Sequence, residues 1–376
     1  MVTKSEGGYQ KKKMILSHIE RLSRSLPFVK SYYLKNYSKI RLNLFKAASL
    51  FPVIKFPRYV HLLVTLDCNF SCEQCQVDAR RRKMNQLTYE EATRVIREIK
   101  EAGVRHLIIT GGEPLTRTGI FDILGYAGET GIPRITLATN GYLVERYRRE
   151  LSGVRIDRVV TSIDDVGQRN DAIRGKKGAF EKALGALDIF REIGVKERVI
   201  NTTVFPGNIS KIEELAGHVA ASSATGWVVG LLVPVGRAES LDRKHFEERE
   251  ILELLDLIKK LRTFVPIELN SHTGCLGNSY QDVTSEPFYC RAGVEVCSIG
   301  PDGEVLPCNI IADNRFSQGN VRDKSFKKIW EEGFQEFRNP VHPQGCTSCE
   351  LLPACGGGCW GYRVLKEKYC YRNFCR

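Results

Sequence analysis

Between residues 60 and 232, short apolar runs alternate with helical patterns six times, and this alternation constrains the fold more than any other feature. The runs cover residues 60–66, 106–110, 135–138, 158–163, 199–204 and 227–232, and all are rich in β-branched side chains. Such runs read as parallel strands buried on both faces, where no polar alternation is kept. Helices fill the gaps. Thr88 and Glu91 form a capping box ahead of Ala92, Val95, Ile99 and Ala102, and Gly103 stops that helix. Ser210 and Glu213 suggest a second box, opening a helix with Ile212, Leu215, Ala216 and Val219. Phe180, Leu184, Leu187 and Phe190 stripe a third. Six strand–helix units predict an α/β fold with a parallel sheet, either open and doubly wound or curled into a barrel.

The unusual residues favour the barrel. Cys68, Cys72 and Cys75 follow the first strand, Gly111-Gly112-Glu113-Pro114 the second, and Thr139-Asn140-Gly141 the third. Ser162 and Asp164 end the fourth, and Gly236-Arg237 follow the sixth. A complete or partial barrel gathers the C-terminal ends of all its strands at one mouth, whereas an open sheet concentrates function at a switch point.

The 376 residues suffice for one large domain and a smaller one. A long helix over residues 247–262 ends the periodic part, and from about Val265 the chain turns rich in Gly, Pro and Cys. Such a segment builds little apolar core, so metal clusters must order it. The expected division is a basic N-terminal extension (1–59), a core domain (60–264) and a cysteine-rich domain (265–376). The thirteen cysteines fall as one trio near position 70 and ten from Cys275 onward, a distribution that suits metal ligation better than a disulfide framework.

The net charge of +12 does not spread over the molecule. Residues 1–60 hold thirteen Lys/Arg against two Glu, so the remainder is close to neutral and no nucleic-acid partner is expected. Ile15, Leu16, Ile19, Leu22 and Leu26 fall at helical spacing within that segment, and a basic stretch with Phe28, Tyr32, Tyr33, Tyr37 and Phe45 follows. One reading is helices packed on the main domain; the other is a pair of interfacial helices on an anionic membrane surface. No secretory signal is visible. The expected location is the cytoplasm, with peripheral attachment to the inner membrane face under the second reading.

The chemistry begins with the Cys-x3-Cys-x2-Cys spacing of Cys68, Cys72 and Cys75. Three thiolates on a [4Fe–4S] cluster leave one iron open, and an open position is where chemistry happens; a zinc site of which three cysteines form the larger part is the alternative. The open iron can chelate the amino and carboxylate groups of a methionine moiety. Gly111 and Gly112 let backbone approach that moiety where a side chain would block it, and Glu113 can accept from its ammonium. Ser162 and Asp164, two apart on a strand, would point the same way and could bond ribose hydroxyls.

Taken in order at the ends of successive strands, these residues resemble the radical S-adenosylmethionine (SAM) superfamily over roughly residues 58–235. The resemblance implies a partial (β/α)6 barrel and a reduced cluster that cleaves SAM to a 5′-deoxyadenosyl radical, which removes a substrate hydrogen atom. Pro114, Asn140 and Arg174 then join Gly111, Gly112, Glu113, Ser162 and Asp164 as SAM-site candidates. For Arg174 the SAM carboxylate and a surface ion pair are both open. Gln74 departs from the family, whose members usually carry an aromatic residue or histidine before the third cysteine.

Cys346-x2-Cys349-x5-Cys355-x3-Cys359, with Cys290 and Cys308 before it and Cys375 after it, resembles the SPASM domain, which holds two auxiliary [4Fe–4S] clusters. The resemblance assigns Cys290, Cys297, Cys308 and Cys359 to the first and Cys346, Cys349, Cys355 and Cys375 to the second, three clusters in all; a pair of zinc sites is the alternative. Cys370 competes with Cys375 as last ligand, and Cys275 reads as a buried thiol or a hydrogen-atom donor. The function implied is hydrogen abstraction with auxiliary clusters in electron transfer, an electron donor such as flavodoxin or ferredoxin, and a peptide, protein or cofactor-precursor substrate. A lipid or membrane-held substrate is the runner-up. A non-catalytic iron–sulfur carrier or zinc scaffold is the alternative of another class, against which Glu113, Ser162 and Asp164 argue.

Overall fold

The computed structural model describes residues 56–79, 85–242, 245–270, 283, 290–342, 346–349, 352 and 356–364. The amphipathic reading of the N-terminal segment falls on residues 1–55, outside this set, as do Cys275, Cys355, Cys370 and Cys375.

Strands β1 (Tyr59–Thr65), β2 (His106–Gly111), β3 (Arg134–Thr139), β4 (Arg158–Ser162), β5 (Glu197–Val204) and β6 (Gly226–Leu231) arise where the β-branched runs lie. Three more follow: β7 (Ile267–Leu269), β8 (Val296–Ile299) and β9 (Val305–Leu306). They form one sheet in the order β7-β6-β5-β4-β3-β2-β1-β8-β9, parallel throughout except for the antiparallel pair β8–β9. The curl expected of a partial barrel follows, with the sheet left open between its edges.

Helices cross over between the strands: α1 (Tyr89–Glu101), α2 (Ile120–Glu129), α3 (Arg148–Ser152), α4 (Gly167–Arg174), α5 (Ala179–Glu192), α6 (Ile212–Ala221) and α7 (Glu248–Leu261). In α1 the capping box forms as the sequence requires: Glu91 N donates to Thr88 Oγ1 (3.2 Å) and Thr88 N to Glu91 Oε2 (2.8 Å). The second box does not form. A 3-10 turn over Ile209–Lys211 precedes α6; Asn208 stands before it without capping it, its Oδ1 accepting from Phe205 N at 2.9 Å. Ser210 thus falls inside a turn rather than at a cap.

Each strand sends alternate residues to the helical core: Val60, Leu62 and Val64 on β1, Leu107 and Ile109 on β2, Ile135 and Leu137 on β3, Val159 on β4. The opposite set is less buried and more polar, including Tyr59, His61, Thr110, Arg158, Ser162 and Asn201. The concave side is therefore a chamber whose walls mix these polar groups with apolar ones such as Leu63, Ile108 and Val160. The cysteine-rich part is not separate from this sheet. β7 lies beyond the boundary expected at 264, and β8 pairs with β1 with Cys297 opposite Val60. Three short helices follow, α8 (Phe326–Glu332), α9 (Gln335–Arg338) and α10 (Trp360–Val364), and the Tyr362 hydroxyl donates to Leu232 O beyond β6 at 2.9 Å. The C-terminal part thereby reaches both sides of the open sheet.

Candidate active site

The loop after β1 carries Cys68, Cys72 and Cys75 around one small apolar cluster with Phe70, Tyr142 and Ala179; Phe70 meets Tyr142 edge-on at 5.6 Å. Two distant elements hold this loop. From the α4 end, Ile173 O accepts from Glu73 N (3.3 Å) and Gly175 O from Ser71 Oγ (3.3 Å). From the turn after β6, Arg237 donates through Nε to Cys72 O (2.7 Å) and through Nη1 to Asp78 Oδ1 (3.1 Å) and Ala79 O (2.7 Å), while its own N–H reaches Cys75 O (3.0 Å). Gly236 makes that approach possible. Its φ is +64°, and a Cβ there would lie 2.5 Å from Gln76 O.

Gly111 and Gly112 serve a similar end. A Cβ on Gly111 would lie 2.2 Å from Thr65 O and one on Gly112 2.3 Å from Asp67 O. The crowding comes from the cysteine loop's own backbone, which Gly112 N and Glu113 N bond at 2.7 and 2.8 Å. The glycines therefore seat the end of β2 against the cysteine loop, a tighter requirement than room for a ligand.

Glu113 is fully buried. Its Oε1 accepts from Leu115 N (3.1 Å) and Thr139 Oγ1 (2.8 Å), and its Oε2 from Asn140 N (2.7 Å). Burial pushes its pKa up to about 7 against the pull of those donors. A carboxylate offers about four acceptor sites, so one stays open to a further donor. Pro114 starts the 3-10 turn that follows, and Asn140 donates to Asn69 Oδ1 (2.7 Å).

Ser162 is the last residue of β4, and Asp164 lies beyond it, so the two do not share a strand face as the sequence suggested. Asp164 is fully buried: Oδ1 accepts from Thr203 N (2.8 Å), and Oδ2 meets Gln74 Nε2 and Arg174 Nη2, the latter at 2.7 Å. Arg174 is thus in a buried ion pair rather than a surface one. Its guanidinium also hydrogen-bonds Cys72, whose pKa burial raises and Arg174 draws back. Gln74, where the family usually carries a ring, ties the cysteine loop to Asp164.

The residues fit an iron–sulfur cluster and SAM. Thiolates suit iron–sulfur ligation. Buried polar atoms without partners gather on this loop and its supports: Asn69 Nδ2, Gln74 Oε1 and Arg174 Nε. Among the described residues no three His, Cys, Asp or Glu side chains close round a single ion. A cube of four irons takes its thiolates at separate corners, not at one point.

Of the C-terminal cysteines, Cys290, Cys308 and Cys359 come together. The Cys359 thiol hydrogen-bonds Cys290 and lowers its pKa, Trp360 N donates to Cys290 Sγ (3.5 Å), and burial pushes Cys308 up to about 12. Cys297 is fully buried on β8, where the positive charge of Arg338 acts on it. Cys346 and Cys349 share one turn, Cys349 N donating to Cys346 O at 3.0 Å. The sequence signals for Arg237 and Gln74 are slight: Gly236-Arg237 stands at a strand end, and Gln74 departs from the family, but neither states the contact it makes.

A model of the radical SAM superfamily matches residues 62–219, and a model of an iron–sulfur cluster-binding domain, SPASM, matches residues 290–350. Over 318 residues the chain is 30% identical to an AdoMet-dependent heme synthase of Oleidesulfovibrio alaskensis, covering 78% of this chain and 80% of that one. It is 29% identical over 303 residues to the mycofactocin maturase MftC of Mycolicibacterium smegmatis, covering 79% and 76%. Streptococcus suis SuiB bound to its precursor peptide SuiA superposes with a TM-score of 0.69 at 20% identity, covering 98% of this chain and 88% of that one, a likeness of fold. The chain therefore belongs to the radical SAM superfamily as an enzyme with a C-terminal SPASM domain.

Proposed function

We propose that this enzyme removes a hydrogen atom from a carbon of a peptide or cofactor precursor and passes the product electron to C-terminal clusters. When bound, SAM and a reduced [4Fe–4S] cluster on Cys68, Cys72 and Cys75 supply a 5′-deoxyadenosyl radical for that step. The observation that carries the reading is Glu113. A fully buried carboxylate with three donors and one open acceptor site, beside the cysteine loop, suits the ammonium of SAM. Gly111, Gly112 and Pro114 hold Glu113 in place, Asn140 fixes its Oε2, and Ser162 stands at the rim for the ribose. Asp164 and Arg174, through Gln74 and Cys72, keep the loop in register.

Relatives named for a heme synthase and a peptide maturase, and a fold relative bound to a precursor peptide, support the two substrate classes. Cys290, Cys297, Cys308 and Cys359 would hold one auxiliary cluster, and Cys346, Cys349, Cys355 and Cys375 a second, three in total with the barrel's own. The electron donor would be a flavodoxin or ferredoxin. Attachment of residues 1–59 to an anionic membrane surface is supported by their charge alone, and no helix among the described residues is long and apolar enough to cross a membrane. The test is anaerobic incubation of reduced protein with SAM and deuterated candidate substrates. Deuterium should appear in 5′-deoxyadenosine. A protein that binds SAM but never forms this product is an electron carrier instead.

A further inference from the structure

The chamber inside the curled sheet holds a guanidinium that no other described group contacts. Strand alternation places Arg158, Val160 and Ser162 of β4 on its wall, while Val159 enters the core. Arg158 is largely enclosed, its Nε is buried without a partner, and among the described residues its guanidinium makes no hydrogen bond or ion pair. The other enclosed arginines behave differently. Arg117 donates to Val64 O and Leu87 O, Arg198 to Ser223 O and Val195 O, and Arg338 to Gly293 O, Gly333 O and Trp330 O. Those three hold backbone; Arg158 holds nothing.

No counter-ion touches it, although Glu197, its register partner on β5, acts on it at a distance. Arg134, next to it, pairs with Glu197, and Glu197, Glu268 and Tyr59 all lie within electrostatic reach of Arg158 but beyond contact. The rings of His61 and His106 share this end of the chamber, and burial keeps both neutral, with His106 Nε2 spent on Thr136 Oγ1 at 2.7 Å. With Glu197 in contact with Arg134 instead and Glu268 held off, the Arg158 fork stays open to an anion.

We propose that Arg158 is the substrate-recognition residue of the chamber and takes an oxyanion of the substrate, a carboxylate or a phosphate, in its planar fork. The inference rests on the proposed function, in which the chamber is the substrate side. Four residue steps along the strand separate Arg158 from Ser162, about 13 Å. A substrate of roughly that length could anchor its oxyanion at the floor while presenting a carbon at the rim, where Ser162 and the cysteine loop gather.

The experiment follows thermal unfolding and calorimetric binding of full-length, cluster-loaded protein with glutarate, inorganic phosphate and neutral glutaramide at constant ionic strength. Glutarate or phosphate, but not glutaramide, should raise the unfolding midpoint of the wild-type protein; which one does so identifies the oxyanion. Arg158→Gln should bind that anion about tenfold more weakly or worse, as loss of a charge-assisted contact requires. Arg158→Lys, which keeps charge without the fork, should fall between and serves alone if the Gln variant does not fold. Equal anion affinity in wild-type and variant proteins, or no anion binding to the wild type, overturns the proposal. Binding here needs no SAM cleavage, so such a result leaves the radical chemistry standing, while normal anion binding without 5′-deoxyadenosine would sink that chemistry alone.

Discussion

At the scale of single residues, Glu113 and His106 give the sharpest expectations. Glu113→Ala deletes the acceptor assigned to the SAM ammonium and leaves Asn140 N, Leu115 N and Thr139 Oγ1 without their partner. SAM binding measured by calorimetry should weaken by roughly 1.5–3 kcal/mol; an unchanged affinity would place the ammonium elsewhere. His106 speaks to stability. Burial, then repulsion from Arg134 and Arg158, lowers its pKa from 6.5 to about 3. The folded chain therefore keeps it neutral, while the unfolded chain takes up a proton below its ordinary pKa. Its contribution is present above about pH 6.5 and is lost as pH falls toward 3, by roughly 2 kcal/mol at pH 5. Denaturant melts at pH 7.5 and pH 5 should show a smaller difference in His106→Gln than in wild type. Equal differences would mean that the ring titrates normally.

At the scale of elements, the cysteine loop depends on a turn that lies more than 150 residues away in the chain. Gly236→Ala drives a Cβ into Gln76 O, and Arg237→Gln removes the bonds to Cys72 O and Ala79 O. Either change should lower reconstituted iron by about four per chain, one cluster's content, while C-terminal iron stays. Full iron in both variants would show that the loop holds its shape alone. This clamp also marks where sequence reading stops. The six strands were legible to within two residues because burial on both faces imposes a local pattern, and the Thr88–Glu91 box because capping is local too. Nothing local announces that Arg237 turns back to residues 72–79, or that Asp164 leaves the strand to meet Arg174 and Gln74. Ser210–Glu213 failed for the converse reason: the local signal was present, but a 3-10 turn over Ile209–Lys211 occupies the place of the cap.

At the scale of the whole molecule, the C-terminal part is continuous with the barrel sheet. β8 carries Cys297 directly beside β1, the strand that leads into the Cys68 loop, and Tyr362 ties α10 to the end of β6. The three clusters proposed above predict about 12 iron and about 12 sulfide per chain after anaerobic reconstitution. Zinc in the C-terminal cysteines, with iron for one cluster only, would refute the auxiliary assignment. The motifs made this two-part organisation legible. That both parts share one sheet was not, because β7 to β9 are only two to four residues long and carry no periodic signal.

The central claim is that Cys68, Cys72 and Cys75 form the SAM-cleaving centre. The measurement is 5′-deoxyadenosine produced from SAM by reduced protein, compared between wild type and the variant with all three residues replaced by Ala. The wild type should form it; the variant should form none while retaining about eight irons in its C-terminal clusters. A variant that still cleaves SAM at the wild-type rate would contradict the assignment outright.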